Sequence, residues 1–369
     1  MTASTLNSPQ RVLFVAHPNA FRQPGGAKTQ VLFTKRAVEA AGVAVDIDAT
    51  LAPDARGYDL AHVFGVYDPE DAQQQVEACK AAGVPTALSP MWWPLYDFFG
   101  RSRGMNAVLA GPEKRIATGL QRFRNTKTDR FLRPNERRKY AVRLELQRRI
   151  MRAADVLLPN SVVESFLLRK TMRLADRPMV VVHHAVDVPV GNHGSQARSG
   201  VLCVGRVEPM KNQAALLYAL RDLDVDVSLV GACYEPEYFK IVERYLGSRR
   251  KWIGELTRQE ALDAMSRAAV HVLPSWFEFP GLVSLEAGAM GARIVAAANG
   301  TEGEYLGDSA LYVDPEDPAG IRAAVERALA LPPRRSGDDL DTRLAGFTER
   351  AVAQNTLRGY DIALKSRSH

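Results

Sequence analysis

Short apolar runs alternate with helix-patterned segments along almost the whole 369-residue chain, and this rhythm limits the fold more than anything else in it. Arg11–Ala16 reads as a buried strand. Pro24-Gly25-Gly26 then breaks the chain, and Ala27–Ala41 reads as a helix ended by Gly42. Val43–Ile47 and Leu60–Phe64 are further strands, Ala72–Ala82 a helix closed by Gly83, and Pro85–Ser89 a strand. Ala154–Pro159 resumes the pattern, Ser161 with Glu164 three residues on predicts a capping box, and Met179–His183 closes the first set. The polar, glycine-rich stretch 191–200 reads as a linker. A second alternating set runs from Val201 to Ala330. Continuously apolar strands separated by helices predict parallel, doubly wound sheets with both faces covered. Two such sets predict an α/β fold of two Rossmann-like doubly wound domains facing across a cleft. Beyond Pro332-Pro333, Phe347, Val352, Leu357, Tyr360 and Leu364 fall at near-helical spacing and predict a last amphipathic helix, expected to pack back on the N-terminal domain. The expected boundaries are 1–190, a linker 191–200, 201–345 and a crossing helix 346–369.

One segment departs from the rhythm. Between Arg101 and Arg152 stand 16 Lys/Arg and 4 Asp/Glu, a local balance of +12 that leaves −6 on the rest of a chain whose net charge is +6. This basic insertion, 101–152, is placed in the first domain by chain order. It suits phosphate, an anionic membrane surface or nucleic acid, against the plainer reading of a solvated helix face. No nucleic-acid recognition motif accompanies it, so nucleic acid is not expected as a partner. No apolar run approaches the 20 or so residues of a membrane span, and the opening MTASTLNSPQ has neither the basic start nor the apolar stretch of a signal peptide. Cys79, Cys203 and Cys233 form no CxxC pair and read as free thiols of a reducing compartment. A cytoplasmic location is expected.

The most telling chemistry lies in Glu278-Phe-Pro-Gly-Leu-Val-Ser-Leu-Glu286. An apolar strand, Ala269–Pro274, precedes it and a helix-like run, Leu282–Met290, follows. One carboxylate is therefore expected on a strand-to-helix loop and the other about one turn inside the helix. Between them Pro280-Gly281 opens the helix, where free backbone N–H groups meet ligand oxygens. That layout suits a ligand rich in hydroxyls and phosphates, such as a nucleotide sugar. Earlier, Val201–Gly205 is a strand ending at a glycine, followed by Arg206 and then Glu208-Pro-Met-Lys211-Asn212. In an open parallel sheet ligands bind beyond the carboxyl ends of strands, so Arg206 and Lys211 are placed to neutralise a diphosphate. Each piece alone has a plainer reading, as a helix-capping cation or an acid near a helix N-terminus. In this order on successive units they are far more specific.

These pieces resemble the GT-B retaining glycosyltransferases of family 4 (glycosyl transferases group 1). The resemblance is carried by VGRVEPMKN, EFPGLVSLEAGAMG and NGTEGEYLGDSALYVDPEDP, and more loosely by GGAKTQ, VLLPNSVVE and HHAVDV. It implies a retaining hexosyltransferase-type enzyme using a UDP- or GDP-sugar, with no further cofactor and no DxD-type metal site. It implies that Arg206 and Lys211 hold the donor diphosphate, that Glu286 bonds the ribose hydroxyls and that Glu278 contacts the transferred sugar. Phe279, Gly281 and Leu282 would offer backbone N–H groups, and Gly25 and Gly26 would let the first domain's backbone approach the donor. The catalytic set is then Glu278, Arg206 and Lys211. The acceptor is expected to be a glycan or lipid-linked glycan in bacterial surface polysaccharide or lipopolysaccharide synthesis, with the basic segment holding it or a peripheral membrane surface through Arg115, Arg122, Arg124, Arg130, Arg133, Arg137, Arg138 and Arg143. The rivals are a sugar-nucleotide epimerase of the same fold and a non-catalytic nucleotide-sugar-binding protein. Phe279 stands where the family usually has glycine, and Ser89-Pro-Met-Trp-Trp-Pro94 replaces a loop that often carries histidine.

His62 reads equally as an acceptor contact or a core residue. His183 and His184, adjacent in sequence, point to opposite faces and do not share a metal. Trp92, Trp93 and Tyr96 read as a sugar platform, a lipid-facing patch or an ordinary anchor. Pro24–Thr29 lacks the glycines of a nucleotide-triphosphate phosphate loop.

Overall fold

The computed structural model describes residues 8–22, 25–111, 134–188, 190 and 197–366, without the side chains of residues 96, 97, 99 and 134. Two compact units are present. In chain order the first half runs β1 (Arg11–Val15), α1 (Gly26–Ala40), β2 (Ala44–Asp48), β3 (Leu60–Phe64), α2 (Pro69–Ala81), β4 (Thr86–Ser89), α3 (Tyr96–Leu109), α4 (Pro134–Ala153), β5 (Val156–Leu157) and α5 (Val162–Lys170). The second half runs β6 (Ser199–Val204), α6 (Gln213–Ala219), β7 (Val227–Val230), α7 (Pro236–Glu243), β8 (Arg250–Gly254), α8 (Arg258–Arg267), β9 (Ala268–Leu273), α9 (Leu282–Ala289), β10 (Arg293–Ala297), α10 (Glu302–Leu306), β11 (Ala310–Val313), α11 (Pro318–Ala330), α12 (Asp339–Leu344) and α13 (Glu349–Lys365).

The first unit holds a sheet in the order β2-β1-β3-β4-β5 and the second a sheet in the order β11-β10-β9-β6-β7-β8, all strands parallel. The expected α/β class with two doubly wound sheets is thus present. Its sequence cause is visible strand by strand: β3 and β4 are buried at every residue, as strands covered on both faces must be. In the second sheet the winding direction reverses between β6 and β9, so the crevice at a topological switch point opens beyond their carboxyl ends.

The C-terminal helix behaves as expected. Val352, Ala353, Tyr360 and Ala363 of α13 join the core of the first unit, and Gly359 lets the helix close on Leu158. A Cβ built on Gly359 would sit 2.4 Å from Leu158 Cδ2. The basic insertion corrects an expectation. Chain order placed 101–152 whole in the first domain, but α3 groups with the second unit because Leu109, buried, and Met105, partly buried, pack against that unit's apolar core, whereas α4 stays with the first. Residues 112–133, with Arg115, Arg122, Arg124, Arg130 and Arg133, lie outside the described residues, as does most of the expected linker. Among the described residues no helix is long and apolar enough to cross a membrane.

Several ambiguous residues resolve as structural. His62 is buried and bonded to Tyr360 Oη (2.9 Å) and Ser89 Oγ (2.9 Å), and burial pushes its pKa down to about 3. Trp92 is buried and its indole donates to Gln147 Oε1 (3.0 Å), so it anchors its loop. Cys79 and Cys203 are buried free thiols, the first pushed up by burial to about 11. Ser161 caps α5 by accepting from Glu164 N (2.9 Å). The reciprocal half of the predicted box is shifted: Glu164 accepts from Asn160 N and Trp92 N, both at 2.7 Å. It thereby ties the loop after β4 to the start of α5.

Glu164 is fully buried, and burial, opposed by those two amides, raises its pKa to about 7. Glu164→Ala leaves two buried N–H groups without acceptors and is expected to cost about 1–3 kcal/mol for each. A raised folded pKa means the carboxyl's contribution is fully present below the unfolded value of about 4.3 and fades as pH rises to 7. Urea unfolding should therefore show the gap between wild type and variant widening from pH 8 to pH 5.

Candidate functional site

The site assembles at the switch point of the second sheet. Backbone bonds from Gly205 N to Val230 O and from Val207 N to Ala232 O, each 2.8 Å, carry the β6–β7 pairing past the strand ends. Gly231 allows this approach: a Cβ there would sit 2.1 Å from Gly205 O. A 3-10 turn, Pro209–Lys211, follows, and Asn212 (φ 59°) reverses the chain into α6. Asn212 Nδ2 donates to Pro274 O (3.2 Å) and Pro315 O (2.8 Å), and Trp276 N donates to Met210 O (2.9 Å). The loops after β6, β9 and β11 are thereby held together.

Lys211 and Glu278, separated by 67 residues in sequence, form an ion pair here. Lys211 Nζ lies 2.6 Å from Glu278 Oε1, which also accepts from Ser275 Oγ at 2.5 Å. The side chains are 16% and 7% exposed, so the pair is largely removed from water. Burial works against the lysine charge, but Glu278, by charge and hydrogen bond, outweighs it and raises the Lys211 pKa above its ordinary value. The ammonium therefore stays charged in a site where charge is scarce. Arg206 is more exposed and pairs with Glu208 (3.2 Å), whose own pKa burial raises.

Glu286 sits one turn into α9, as its spacing predicted. It is not alone: Arg258 Nη1 lies 2.9 Å from its Oε1, and the same guanidinium reaches Asp187. Burial raises the Glu286 pKa and Arg258 opposes the shift. Between the two glutamates, Gly281 is the N-cap of α9 with no side-chain cap, leaving the helix end to Phe279, Gly281 and Leu282 main chain. Phe279 packs edge-on against Phe277 (5.6 Å), and Phe277 in turn against Phe98 of α3 (6.0 Å). The aromatic residue thus belongs to a ring cluster that also takes in Trp276.

Gly25 and Gly26 stand in the first unit, after β1 at the start of α1, which is itself beside that sheet's reversal between β1 and β3. A Cβ on either meets no atom within 4 Å among the described residues. Nearby, His17 Nδ1 accepts from Asn19 N (3.1 Å), so its Nε2 carries the hydrogen directed at Asp71 (2.9 Å). Among the described residues no cluster of three or more His, Cys, Asp or Glu is arranged to hold a metal ion.

Of the residues expected from sequence, the structure brings Arg206, Lys211 and Glu278 into one charged cluster and places Glu286 one turn into α9. Sequence reasoning missed Ser275, Glu208, Arg258 and Glu302. Arg258 and Glu302 act on elements distant in sequence, whereas Ser275 and Glu208 stand two or three residues from their partners and read there as ordinary polar residues.

A doubly wound sheet with cations and carboxylates at its switch point defines an α/β ligand-binding domain. Residues 198–330 match the family described as Glycosyl transferases group 1. The D-inositol 3-phosphate glycosyltransferase of Mycolicibacterium smegmatis is 27% identical over 346 residues, 81% of this chain and 78% of that protein. The enzyme of the same name from Frankia alni is 34% identical over 220 residues, 50% of this chain and 53% of that protein, so the match spans about half of that relative's length. Among solved structures, sucrose-phosphate synthase from Thermosynechococcus elongatus superposes with a TM-score of 0.74 at 19% identity, covering 97% of this chain and 100% of that one, which shows a shared fold.

Proposed function

We propose that this chain transfers a glycosyl group from a nucleoside-diphosphate sugar, a UDP- or GDP-sugar, to a hydroxyl of an anionic acceptor, with retention at the anomeric carbon. The observation that carries the reading is the Lys211–Glu278 pair at the switch point, with Glu286 one turn along the following helix. Negative charge grows on the diphosphate as it departs, and Arg206 and Lys211 are fixed cations that stabilise it most when that charge is greatest. Glu278 lies next to Lys211, where the transferred sugar would join the diphosphate, and its carboxylate suits a sugar hydroxyl and a front-face, oxocarbenium-like ion pair. Glu286, oriented by Arg258, keeps its second oxygen for the ribose hydroxyls. Main-chain N–H groups of Phe279, Gly281 and Leu282 serve sugar or phosphate oxygens, and Gly25 and Gly26 leave room for the donor.

An acceptor that carries phosphate, as a phosphorylated sugar or a lipid-linked glycan of surface polysaccharide does, accounts for the basic surface. The helix α4 holds seven Lys/Arg against two Asp/Glu, with Arg138 exposed and Arg143 over the Tyr67 ring at 4.9 Å. The names of the inositol-phosphate and sucrose-phosphate relatives support a phosphorylated acceptor or product. Such a protein would work in the cytoplasm, at the membrane's inner face when the acceptor is lipid-linked.

A melting-temperature screen against UDP-, GDP-, ADP- and dTDP-sugars tests the donor half. Occupancy at a hundred times Kd adds about 2.7 kcal/mol of stability, which moves the midpoint visibly. The reading expects stabilisation by one nucleotide class and its loss in Glu286→Ala; equal stabilisation of wild type and variant would remove the assigned ribose contact.

A further inference from the structure

Directly beneath the Pro280-Gly281 turn lies a carboxyl group with no assigned work. Glu302 opens α10 and is 1% exposed; no charged group is hydrogen-bonded to its carboxyl among the described residues, and the Ser284 hydroxyl is the polar group beside it. A Cβ built on Gly281 would meet Glu302 Oε1 at 2.4 Å and Glu278 Cγ at 3.3 Å, so the two glutamate side chains converge on one side of the turn. The Glu278 main chain is itself fixed to this neighbourhood: its carbonyl accepts from Thr301 N (2.9 Å) and Thr301 Oγ1 (3.3 Å). Glu302 therefore sits behind the donor loop, sealed from water and close to the ion pair in front of it.

We propose that Glu302 is a positioning residue for the donor site, a carboxyl that keeps its proton and so leaves Lys211 free to exchange Glu278 for a diphosphate. The proposal rests on the donor reading above.

The charge balance gives the reason. Arg206 and Lys211 face Glu208 and Glu278, two against two; Arg206 is exposed to water, and the other three side chains are largely buried. An ionised Glu302 would add a third negative charge behind the turn and make the cluster repel a diphosphate. It would also hold Lys211 more tightly toward the protein, since charges this close and this buried interact strongly. With its proton in place, Glu302 contributes bulk and no charge. Burial, then the Glu278 charge, hold its pKa well above the carboxylate range, against smaller contributions from the nearby Ser284 hydroxyl and Lys211. The groups that face it are Glu278 from the loop after β9, Lys211 from the 3-10 turn and Ser284 from α9. Tyr312 of β11 also faces it, with Arg343 of α12 and Asp308 beyond. Among the described residues Lys211 brings positive charge to it and Arg343 to the neighbouring Tyr312, and each has another partner: Glu278 for the first and the carbonyls of Glu304 and Tyr305 for the second.

Glu302→Gln has the shape and neutrality of the protonated side chain and tests the idea in the full-length protein. Without nucleotide, the melting midpoint of the variant should gain on wild type as pH rises from 6 to 10. A carboxyl with a raised folded pKa contributes stability that is lost as pH climbs through that value, whereas glutamine loses nothing. With UDP and GDP as probes, wild-type affinity should fall by up to about tenfold per pH unit once Glu302 ionises, and the variant should lack that limb while matching wild type at pH 7. On wild type alone, titration calorimetry in two buffers of different ionisation heat should show proton uptake on binding along the same limb. A pH-independent midpoint difference, identical affinity profiles or zero proton uptake would each overturn the proposal. Failure of both nucleotides to bind at any pH, with the midpoint difference present, would instead overturn the donor reading and the role built on it.

Discussion

Replacing Lys211 with alanine is expected to lower the second-order rate of sugar transfer by about a hundredfold to a thousandfold, the usual cost of removing one preorganised charge from a developing anion. It is also expected to destabilise the fold by about 3 kcal/mol. The two effects have one origin. Lys211 is the counter-ion of Glu278 at 2.6 Å, and both side chains are largely buried. Removing one partner leaves the other as an uncompensated charge, and breaking a buried pair this way costs about 3–5 kcal/mol, at the lower end where some exposure remains. Lys211→Met, which fills the space without the charge, should recover packing but not transfer. Initial rates together with urea unfolding separate the two. Transfer within about threefold of wild type would show that the ammonium does not meet the diphosphate.

The second large effect is expected at Gly300, a residue with no chemistry of its own. Its backbone has φ +115°, a region L side chains rarely adopt, and a Cβ there would stand 2.6 Å from both the N and the O of Glu278. Those are main-chain atoms, joined to Gly300 by a parallel bridge, and they yield only by moving Glu278. Gly300→Ala should therefore cost about 1–3 kcal/mol in strain and displace the carboxylate by enough to lower transfer by about a hundredfold. The expected signature is a fall in kcat larger than the rise in KM, with a melting midpoint a few degrees lower. A variant of unchanged activity would mean that the Glu278 position does not govern the reaction.

Much of this architecture was legible in the residues. Strands such as Leu60–Phe64 are buried on both faces because helices cover both, and that property carries the class and the two sheets, while the spacing of Val352, Leu357 and Tyr360 carries the last helix. The switch point was legible through Gly205-Arg206, Lys211-Asn212 and Glu278–Glu286 because of their order on successive units, since each piece alone also reads as a helix cap or a dipole partner. What the pattern could not carry is side-chain pairing at long range. Arg258 on Glu286 and Glu302 under Gly281 are set by how loops close, and each reads in sequence as an ordinary polar residue. The placement of α3 failed for a similar reason. Chain order assigns a segment to its neighbours in sequence, whereas Met105 and Leu109 pack where an apolar surface awaits them, in the second unit. Gly231, unremarked in sequence, is pressed against the Gly205 carbonyl, a contact that only the folded structure shows.

The most direct measurement is proton NMR of purified protein with the nucleotide sugar that stabilises it, run with and without phosphorylated and lipid-linked acceptors. The account predicts that the donor's anomeric signal decays only when an acceptor is present, and that the product carries the donor's anomeric configuration. Donor conversion without any acceptor, or a bound donor that no acceptor consumes, would contradict it.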